Sequence, residues 1–371
     1  MKKVLFVATV PNHIICFHLP YLKWFKEIGF ETHVAVNGTV NIPYCDVQYN
    51  FPIQRSPFNL KNLGALFILR KIINKNKFSL IHLHTPMGGV IGRIAAKNQR
   101  KKGSKVLYTA HGFHFYKGAP KLNWILYFPV EKYLSRFTDA IITINKEDFE
   151  LIKNRNFSTK NVFLINGVGV NSARFRKATN EEKMQLRSKH GFHQAAFILI
   201  YVAEFIERKN HTFLLENLKI LQNEIPDLMV IFAGRGKLLN KIQKLADKNG
   251  LKKYVIFVGF RNDIEEFIAL SDVGVSVSKQ EGFGINLVEE MFCGLPVVAS
   301  QNRGHKEIVM HGINGYLFPL NNKNLFQEYI LKLYSNKELR FELGTNASLS
   351  VNKFSLNNSL DTMKKIYTAY I

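Results

Sequence analysis

The sequence predicts an α/β protein built from two doubly wound, Rossmann-like domains. The chain has 371 residues, which is enough for two domains of ordinary size, and 46% of them are hydrophobic, which is enough to fill two cores. In both halves, short apolar runs typical of buried parallel strands alternate with stretches of helical periodicity. No apolar run reaches the ~18 residues that a transmembrane helix needs.

The first half begins with a strand and continues as alternating strands and helices. Met1 and two lysines followed by an apolar run resemble a short signal peptide, but Pro11 interrupts the run and no cleavage site follows. We predict a loop without glycine at residues 9–18 and a helix ending at Gly29. The remaining strands are predicted at residues 32–36, 79–84, 105–110, 137–145 and 162–165, with helices at residues 60–73 and 90–97.

The second half repeats this alternation after a hinge-like segment at residues 166–170. Strands are predicted at residues 197–203, 228–233, 255–258, 273–278 and 297–300. We therefore predict domains at residues 1–170 and 171–352, and a terminal helix at residues 353–371.

A strand, a glycine turn and a helix at residues 273–300 contain the most informative residues. Gly282 and Gly284 bracket the turn and allow a ligand to approach the backbone closely. The free N–H groups at the start of the helix suit a phosphate. Glu281 lies at the carboxyl end of the strand, where open α/β sheets bind ligands, and Glu289 can reach a ribose from the helix. This unit predicts a site for a nucleoside diphosphate, whereas Glu290 is interpreted as a solvated charge.

The same stretch resembles the signature of retaining GT-B glycosyltransferases. The resemblance comprises Glu281, seven residues, Glu289, and the run Met-Phe-Cys-Gly-Leu-Pro-Val-Val-Ala-Ser at residues 291–300. It extends over most of the chain, which is identified as a member of glycosyltransferase family 4, or group 1, the family that includes capsular and exopolysaccharide enzymes. The resemblance implies two Rossmann-like domains facing a cleft and a last helix that crosses back to the first domain.

The resemblance implies three catalytic residues. His111 follows a strand and would lie beside the transferred sugar, Glu281 would contact that sugar, and Lys209 would hold the donor diphosphate. Relatives usually carry an arginine where this chain has Glu204, so Arg208 is the second candidate cation. No Asp-x-Asp pair stands where a metal-dependent transferase needs one, so we expect a metal-independent reaction and no metal site.

Further donor contacts are implied in the second half, mostly in glycine turns and directly after strands. Glu289 is expected on the ribose, and Phe260 and Arg261 near the base. The full set of expected donor-binding residues is Arg208, Lys209, Gly234, Phe260, Arg261, Gly282, Phe283, Gly284, Ile285 and Glu289.

The first half carries nearly all of the net charge of +23. Residues 1–178 hold 27 Lys and Arg against 8 Asp and Glu, whereas residues 179–371 hold 24 against 20. A field of this kind favours an anionic partner, such as an anionic membrane face or a pyrophosphate-bearing acceptor. No nucleic-acid-binding motif is present, so nucleic acid is not expected.

Residues 117–136 interleave Trp124, Tyr127 and Phe128 with lysine and arginine. This pattern suits a membrane interface, and the alternative is a core helix with a basic outer face. The three cysteines show no metal or redox spacing, and their odd number favours a reducing compartment. We expect a cytoplasmic protein associated peripherally with the inner face of the cell membrane.

The expected activity is transfer of a hexose or N-acetylhexosamine, with retention, from a nucleotide sugar, for which UDP is the expected nucleotide. The expected acceptor is a lipid-pyrophosphate-linked saccharide, and no cofactor is expected besides the nucleotide sugar as substrate. One alternative is a GT-B-like sugar-nucleotide epimerase or hydrolase, which needs no acceptor. Another is an anionic-membrane-binding protein with a degenerate site. A dinucleotide oxidoreductase is disfavoured because no Gly-x-Gly-x-x-Gly follows the first strand.

Overall fold

The computed structural model describes residues 1–371, and the chain divides into two compact units. The first unit comprises Met1–Gly169 together with Asn357–Ile371, and the second comprises Val170–Leu356. The sequence placed the corresponding boundaries after residues 170 and 352.

The first unit is built on seven parallel strands: β1 (Lys3–Val7), β2 (Glu31–Val36), β3 (Val47–Asn50), β4 (Leu80–Leu83), β5 (Lys105–Ala110), β6 (Ala140–Thr143) and β7 (Asn161–Leu164). Their order across the sheet is β3-β2-β1-β4-β5-β6-β7, and every neighbouring pair is parallel. The strand order reverses between β1 and β4, so their carboxyl ends form the switch point at which such sheets bind ligands.

The helices of the first unit cover this sheet: α1 (Pro11–Phe17), α2 (Leu19–Glu27), α3 (Lys61–Asn76), α4 (Pro86–Lys101), α5 (Lys121–Leu134) and α6 (Lys146–Asn154). The predicted loop at residues 9–18 was wrong, because α1 occupies most of it. Pro11 stands at the first helical position, where its fixed φ favours a helix and its missing N–H costs nothing. The edge strand β3 was also missed, since its half-buried residues give no apolar run.

The second unit contains six parallel strands: β8 (Phe197–Val202), β9 (Leu228–Ala233), β10 (Val255–Gly259), β11 (Val273–Ser276), β12 (Val297–Ser300) and β13 (Gly315–Phe318). Their order is β10-β9-β8-β11-β12-β13. The helices are α7 (Asn180–Lys189), α8 (His211–Glu224), α9 (Leu239–Lys248), α10 (Ile264–Ala269), α11 (Ile285–Phe292), α12 (Arg303–Lys306), α13 (Lys323–Ser335) and α14 (Lys337–Ser350). The order reverses between β8 and β11, so the loops after these strands meet at the second switch point.

The last helix, α15 (Leu356–Thr368), packs on the first unit. Its Tyr367 is fully buried there, with its hydroxyl 2.7 Å from Nδ1 of His82 and its ring stacked on Trp24. The prediction of two Rossmann-like domains with a final helix returning to the first is therefore confirmed. No helix is both long enough and apolar enough to cross a membrane.

Candidate active site

The second unit brings Glu281, Arg208 and Lys209 together at the carboxyl edge of its sheet. Nζ of Lys209 donates to Oε1 of Glu281 at 2.5 Å, and Nη1 of Arg208 donates to Oε2 at 2.7 Å. The side chains of Glu281 and Lys209 are 9% and 13% exposed, whereas that of Arg208 is 40% exposed. Burial raises the pKa of Glu281, but the charges of Lys209 and Arg208 outweigh it and hold the pKa at about 2. The carboxylate is therefore ionised and shared between two cations.

The two cations are held in place by the segment that leads to Glu281. The N–H of Lys279 donates to the carbonyl of Arg208 at 2.8 Å, and Nη1 of Arg208 donates to the carbonyl of Gln280 at 2.7 Å. From β8, the buried Tyr201 donates its hydroxyl to the carbonyl of Lys209 at 2.6 Å. Because β8 and β11 are neighbours in the sheet, the loops after them become one hydrogen-bonded unit.

The short helix α12, which follows β12, supports the turn that follows Glu281. A Cβ on Gly304 would lie 2.5 Å from the carbonyl oxygen of Phe283 and 2.9 Å from Cβ of Glu281, so only glycine fits. The next residue, His305, is fully buried, with Nδ1 2.7 Å from the carbonyl oxygen of Ser300. Burial lowers the pKa of His305 to about 4. Neither Gly304 nor His305 was predicted, although a Gly-His pair directly after a buried strand was the available signal.

The glycine turn ends at the start of α11. Gly284 is the residue before the helix, with φ of 113°, and no side chain caps the helix there. The first N–H groups of α11 therefore have no side-chain acceptor and can serve an anion. Gly282 and Ile285 are half-buried on either side of this point, while Phe283 is buried with its ring edge-on to Phe354.

The two further glutamates of α11 differ in environment. Glu289 is half-buried, and burial raises its pKa to about 7, with Arg174 lowering it and Glu265 raising it. These charges are not the ones that act on Glu281. The interpretation of Glu290 as a solvated charge was wrong, because Glu290 is fully buried and its Oε2 has no hydrogen-bond partner. Burial raises the pKa of Glu290 well above its ordinary value, so it is neutral.

The expected base-side residues lie at the ends of β9 and β10. The N–H of Gly234 donates to the carbonyl of Gly259 at 2.7 Å, and a Cβ on Gly234 would lie 2.0 Å from the carbonyl oxygen of Ala203. Phe260 is 62% exposed, with the guanidinium of Arg235 4.9 Å from the centre of its ring.

Two charged residues, Arg261 and Glu204, follow strands β10 and β8. Arg261 forms two hydrogen bonds with Asp263, at 2.7 and 2.5 Å, so its charge is already paired. Glu204, which stands where relatives carry arginine, is exposed.

His111, the third predicted catalytic residue, belongs to the first unit, directly after β5. Its Nε2 lies 3.2 Å from Nε2 of His13 and 3.5 Å from Nδ1 of His84. Burial and the neighbouring histidines lower the pKa of His111 well below its ordinary value, so the imidazole is neutral. A cavity of about 640 Å³ opens beside it, lined by His13, Gly112 and Tyr127 among others.

The surface of α5 differs from the predicted arrangement of aromatics and cations. Trp124, Tyr127 and Phe128 are partly buried against the core of the first unit. The outer face is instead formed by other apolar side chains, with exposed fractions from 40% to 68%: Leu122, Ile125, Leu126, Val130 and Tyr133. These positions recur at helical spacing, so they form one continuous apolar face.

Comparison with known proteins gives matches over both units. The family model described as "Glycosyl transferases group 1" matches residues 182–349, and the one described as "Glycosyl transferase 4-like" matches residues 3–145. A Bacillus subtilis (strain 168) protein named "Putative glycosyltransferase EpsD" is 45% identical over 370 residues, which cover 100% of this chain and 97% of that protein. An Escherichia coli "UDP-Gal:alpha-D-GlcNAc-diphosphoundecaprenol alpha-1,3-galactosyltransferase" is 30% identical over 315 residues, 83% of this chain and 80% of that protein.

Solved structures agree with this fold over the whole length. Anabaena Alr3699/HepE, crystallised in complex with UDP and glucose, superposes with a TM-score of 0.82 at 19% identity and covers 100% of both chains. WaaG, a glycosyltransferase involved in lipopolysaccharide biosynthesis, gives a TM-score of 0.77 at 17% identity, with 98% of this chain and 99% of that chain covered. At such identities the likeness establishes the fold, which is GT-B.

Proposed function

This chain belongs to the group 1 glycosyltransferases, and on that premise we propose that it transfers a hexose or N-acetylhexosamine from a UDP-sugar to a lipid-pyrophosphate-linked saccharide. The product would serve capsular or exopolysaccharide synthesis. The observation that carries the proposal is the ionised Glu281, held between Lys209 and Arg208 next to the uncapped start of α11. A carboxylate can stabilise the positive charge that develops on the sugar. Two cations and free N–H groups can stabilise the departing diphosphate.

On the donor side, the cations and the helix N–H groups would bind the diphosphate without a divalent metal. Lys209 and Arg208 are paired with Glu281, so the diphosphate would take over part of their charge when it binds. Glu289 would accept hydrogen bonds from the ribose hydroxyls. The use of UDP is supported by the name of the E. coli relative and by the nucleotide bound in the Anabaena structure.

The proposed reaction retains the anomeric configuration. The bond from the anomeric carbon to the diphosphate oxygen breaks, and its electron pair leaves with UDP, whose charge Lys209 neutralises. The acceptor hydroxyl oxygen bonds to the same face of that carbon and passes its proton to the departing phosphate oxygen. Glu281 remains ionised and stabilises the positive charge that develops on the sugar.

On the acceptor side, the first unit offers the 640 Å³ cavity and the apolar face of α5. Phe58, which is 78% exposed, lines this cavity together with Leu126 and Val130 of that face. Apolar side chains at the mouth of a cavity suit a lipid-linked substrate. The basic excess of the same unit would add attraction to anionic lipids. We therefore propose peripheral association with an anionic membrane through this surface.

The direct test is a transfer assay with the purified chain, radiolabelled UDP-sugars and a polyprenyl-pyrophosphate-linked saccharide, in the presence of a chelator. The proposal predicts a labelled lipid-linked product and stoichiometric UDP, with the anomeric configuration of the donor preserved by NMR. Release of free sugar or an epimerised donor without any acceptor would instead support a hydrolase or an epimerase. No turnover of any nucleotide sugar with acceptor present would contradict the proposed function.

A further inference from the structure

Four histidines of the first unit converge on one point, although they come from three separate parts of the chain. We call His13, His18, His84 and His111 the histidine cluster. His13 lies on α1 and His18 directly follows it, while His84 and His111 follow β4 and β5. One nitrogen from each ring can be chosen so that all four lie within 4.8 Å of one another.

The spacing of the rings is that of ligands around a small ion. Metal–nitrogen bonds of 2.0–2.1 Å in a tetrahedron place ligand nitrogens about 3.4 Å apart and imidazole centres about 5 Å apart. In the histidine cluster, Nε2 of His111 lies 3.2 Å from Nε2 of His13 and 3.5 Å from Nδ1 of His84. The six distances between ring centres run from 3.8 to 6.0 Å, on either side of that value. The shortest is between the stacked rings of His18 and His84, which must turn apart when both bind one ion.

Hydrogen bonding within the protein leaves three nitrogens of this cluster without a partner. His18 is 2% exposed and His84 is fully buried, yet both nitrogens of His18 and Nε2 of His84 have no hydrogen-bond partner. Buried nitrogens of this kind are costly unless something else binds them. The adjacent His82 shows the contrast, because its Nδ1 meets the hydroxyl of Tyr367 and its Nε2 meets that of Thr109.

We infer that the histidine cluster binds one divalent transition-metal ion of the zinc class. Imidazole is a good ligand for Zn²⁺, Co²⁺ and Ni²⁺, whereas Mg²⁺ and Ca²⁺ require oxygen ligands, and the cluster contains no carboxylate. The site belongs wholly to the first unit, whereas the donor residues belong to the second, and the inference does not depend on the proposed function. The expectation that the donor diphosphate is bound without a metal concerns the second unit, so a metal in the histidine cluster does not conflict with it.

A bound metal would fix the tautomer of His111. A metal on Nε2 places the remaining proton on Nδ1, so His111 could only donate a hydrogen bond through that nitrogen. The metal would also tie α1 to the ends of β4 and β5. His13 lines the 640 Å³ cavity, so the site would border the space assigned to the acceptor.

The test is metal binding by the full-length chain after removal of metals with a chelator. Titration with Co²⁺, followed by visible absorption, is expected to give one ion per chain with the intense bands of a four-coordinate site. Zn²⁺ should displace Co²⁺ and raise the melting temperature. His13→Gln and His111→Gln should each weaken binding on the order of 100-fold, at least as much as loss of a residue that only supports a ligand.

Two control variants make the outcome decisive. His82→Gln changes the neighbouring histidine that is already hydrogen-bonded, and His193→Gln changes an exposed one in the second unit, so both should bind Co²⁺ like the wild type. Circular dichroism would establish that each variant is folded. His13 is only half-buried, so its replacement should disturb the packing of the core little. Absence of binding at 100-fold excess Co²⁺ (~1 mM) to the folded wild type, or binding unchanged in the His13→Gln, His111→Gln double variant, would overturn the inference.

Discussion

Glu281 is the residue on which the proposed chemistry depends most. Replacing it with glutamine keeps the shape but removes the charge shared by Lys209 and Arg208. We predict that Glu281→Gln lowers kcat by about 100-fold or more, the range typical of a lost transition-state charge partner. UDP should bind as well as to the wild type, or more tightly, because both cations become available. Steady-state kinetics combined with UDP binding measures the two effects separately, and an unchanged kcat would exclude Glu281 from the mechanism.

Glu289 should make stability depend on pH in the direction opposite to an ion-paired carboxylate. Burial raises its pKa from 4.5 to about 7, so between these values the folded chain keeps a proton that the unfolded chain has released. The free energy of unfolding should therefore fall as pH rises from about 4.5 to 7, by up to about 3 kcal/mol.

The Glu289→Gln variant tests this directly, since the amide does not titrate. We predict that it melts at a higher temperature than the wild type at pH 8 and that the difference shrinks towards pH 5. Thermal unfolding at both pH values is the measurement. An equal difference at both pH values would show that Glu289 is not the titrating group.

At the level of elements, the site depends on the segment after β11, which is held by the loop after β8 on one side and by α12, after β12, on the other. Gly304 marks the tightest of these contacts, where a Cβ would meet the backbone of Phe283. We predict that Gly304→Ala lowers the free energy of unfolding by about 1–3 kcal/mol, because the clash is with backbone that cannot rotate away. UDP affinity should fall with it, since the Glu281 turn must shift.

The matched control is Gly64→Ala on α3, where a Cβ meets nothing within 4 Å. That substitution should leave UDP affinity unchanged and stabilise the chain by about 0.5–1 kcal/mol, because alanine favours the helix. Denaturant unfolding and UDP titration of both variants provide the comparison. Equal behaviour of the two would mean that α12 does not shape the site.

These loops also show what the sequence could predict. Glu281, the glycine turn and α11 lie in one continuous stretch, so their spacing could be interpreted directly. The pairing of Arg208 with Glu281 and the contact of Gly304 with Phe283 depend on strand order, which local periodicity does not encode. The histidine cluster was missed for the same reason, since His13 and His84 come together only when β1 and β4 pair. Glu290 was misjudged because its burial follows from the absence of a side chain on Gly274, a contact across the helix–sheet interface.

At the scale of the molecule, the basic excess and the apolar face of α5 belong to the same unit. We predict that the chain sediments with anionic vesicles, much less with neutral ones, and that high salt weakens but does not abolish the binding. Ile125 is 68% exposed on α5, and Ile125→Glu should weaken vesicle binding about tenfold. The substitution removes apolar area that the membrane would bury, and it adds a negative charge that anionic lipids repel.

Leu349→Glu is the control, because Leu349 is 73% exposed but lies on α14 of the second unit. It should sediment like the wild type. Equal loss of binding in both variants would indicate a general effect of charge, and no loss in Ile125→Glu would remove α5 from the membrane surface.

We propose that the second unit binds uridine diphosphate through Lys209, the start of α11 and Glu289 without a divalent metal. The most direct measurement is calorimetric titration of UDP, GDP and ADP into the wild type and Glu289→Ala, in the presence of a chelator. We expect micromolar binding of UDP, weaker binding of GDP and ADP, and loss of most of the UDP affinity in Glu289→Ala. Failure of all three nucleotides to bind, or UDP binding that appears only when Mg²⁺ or Mn²⁺ is added, would contradict it.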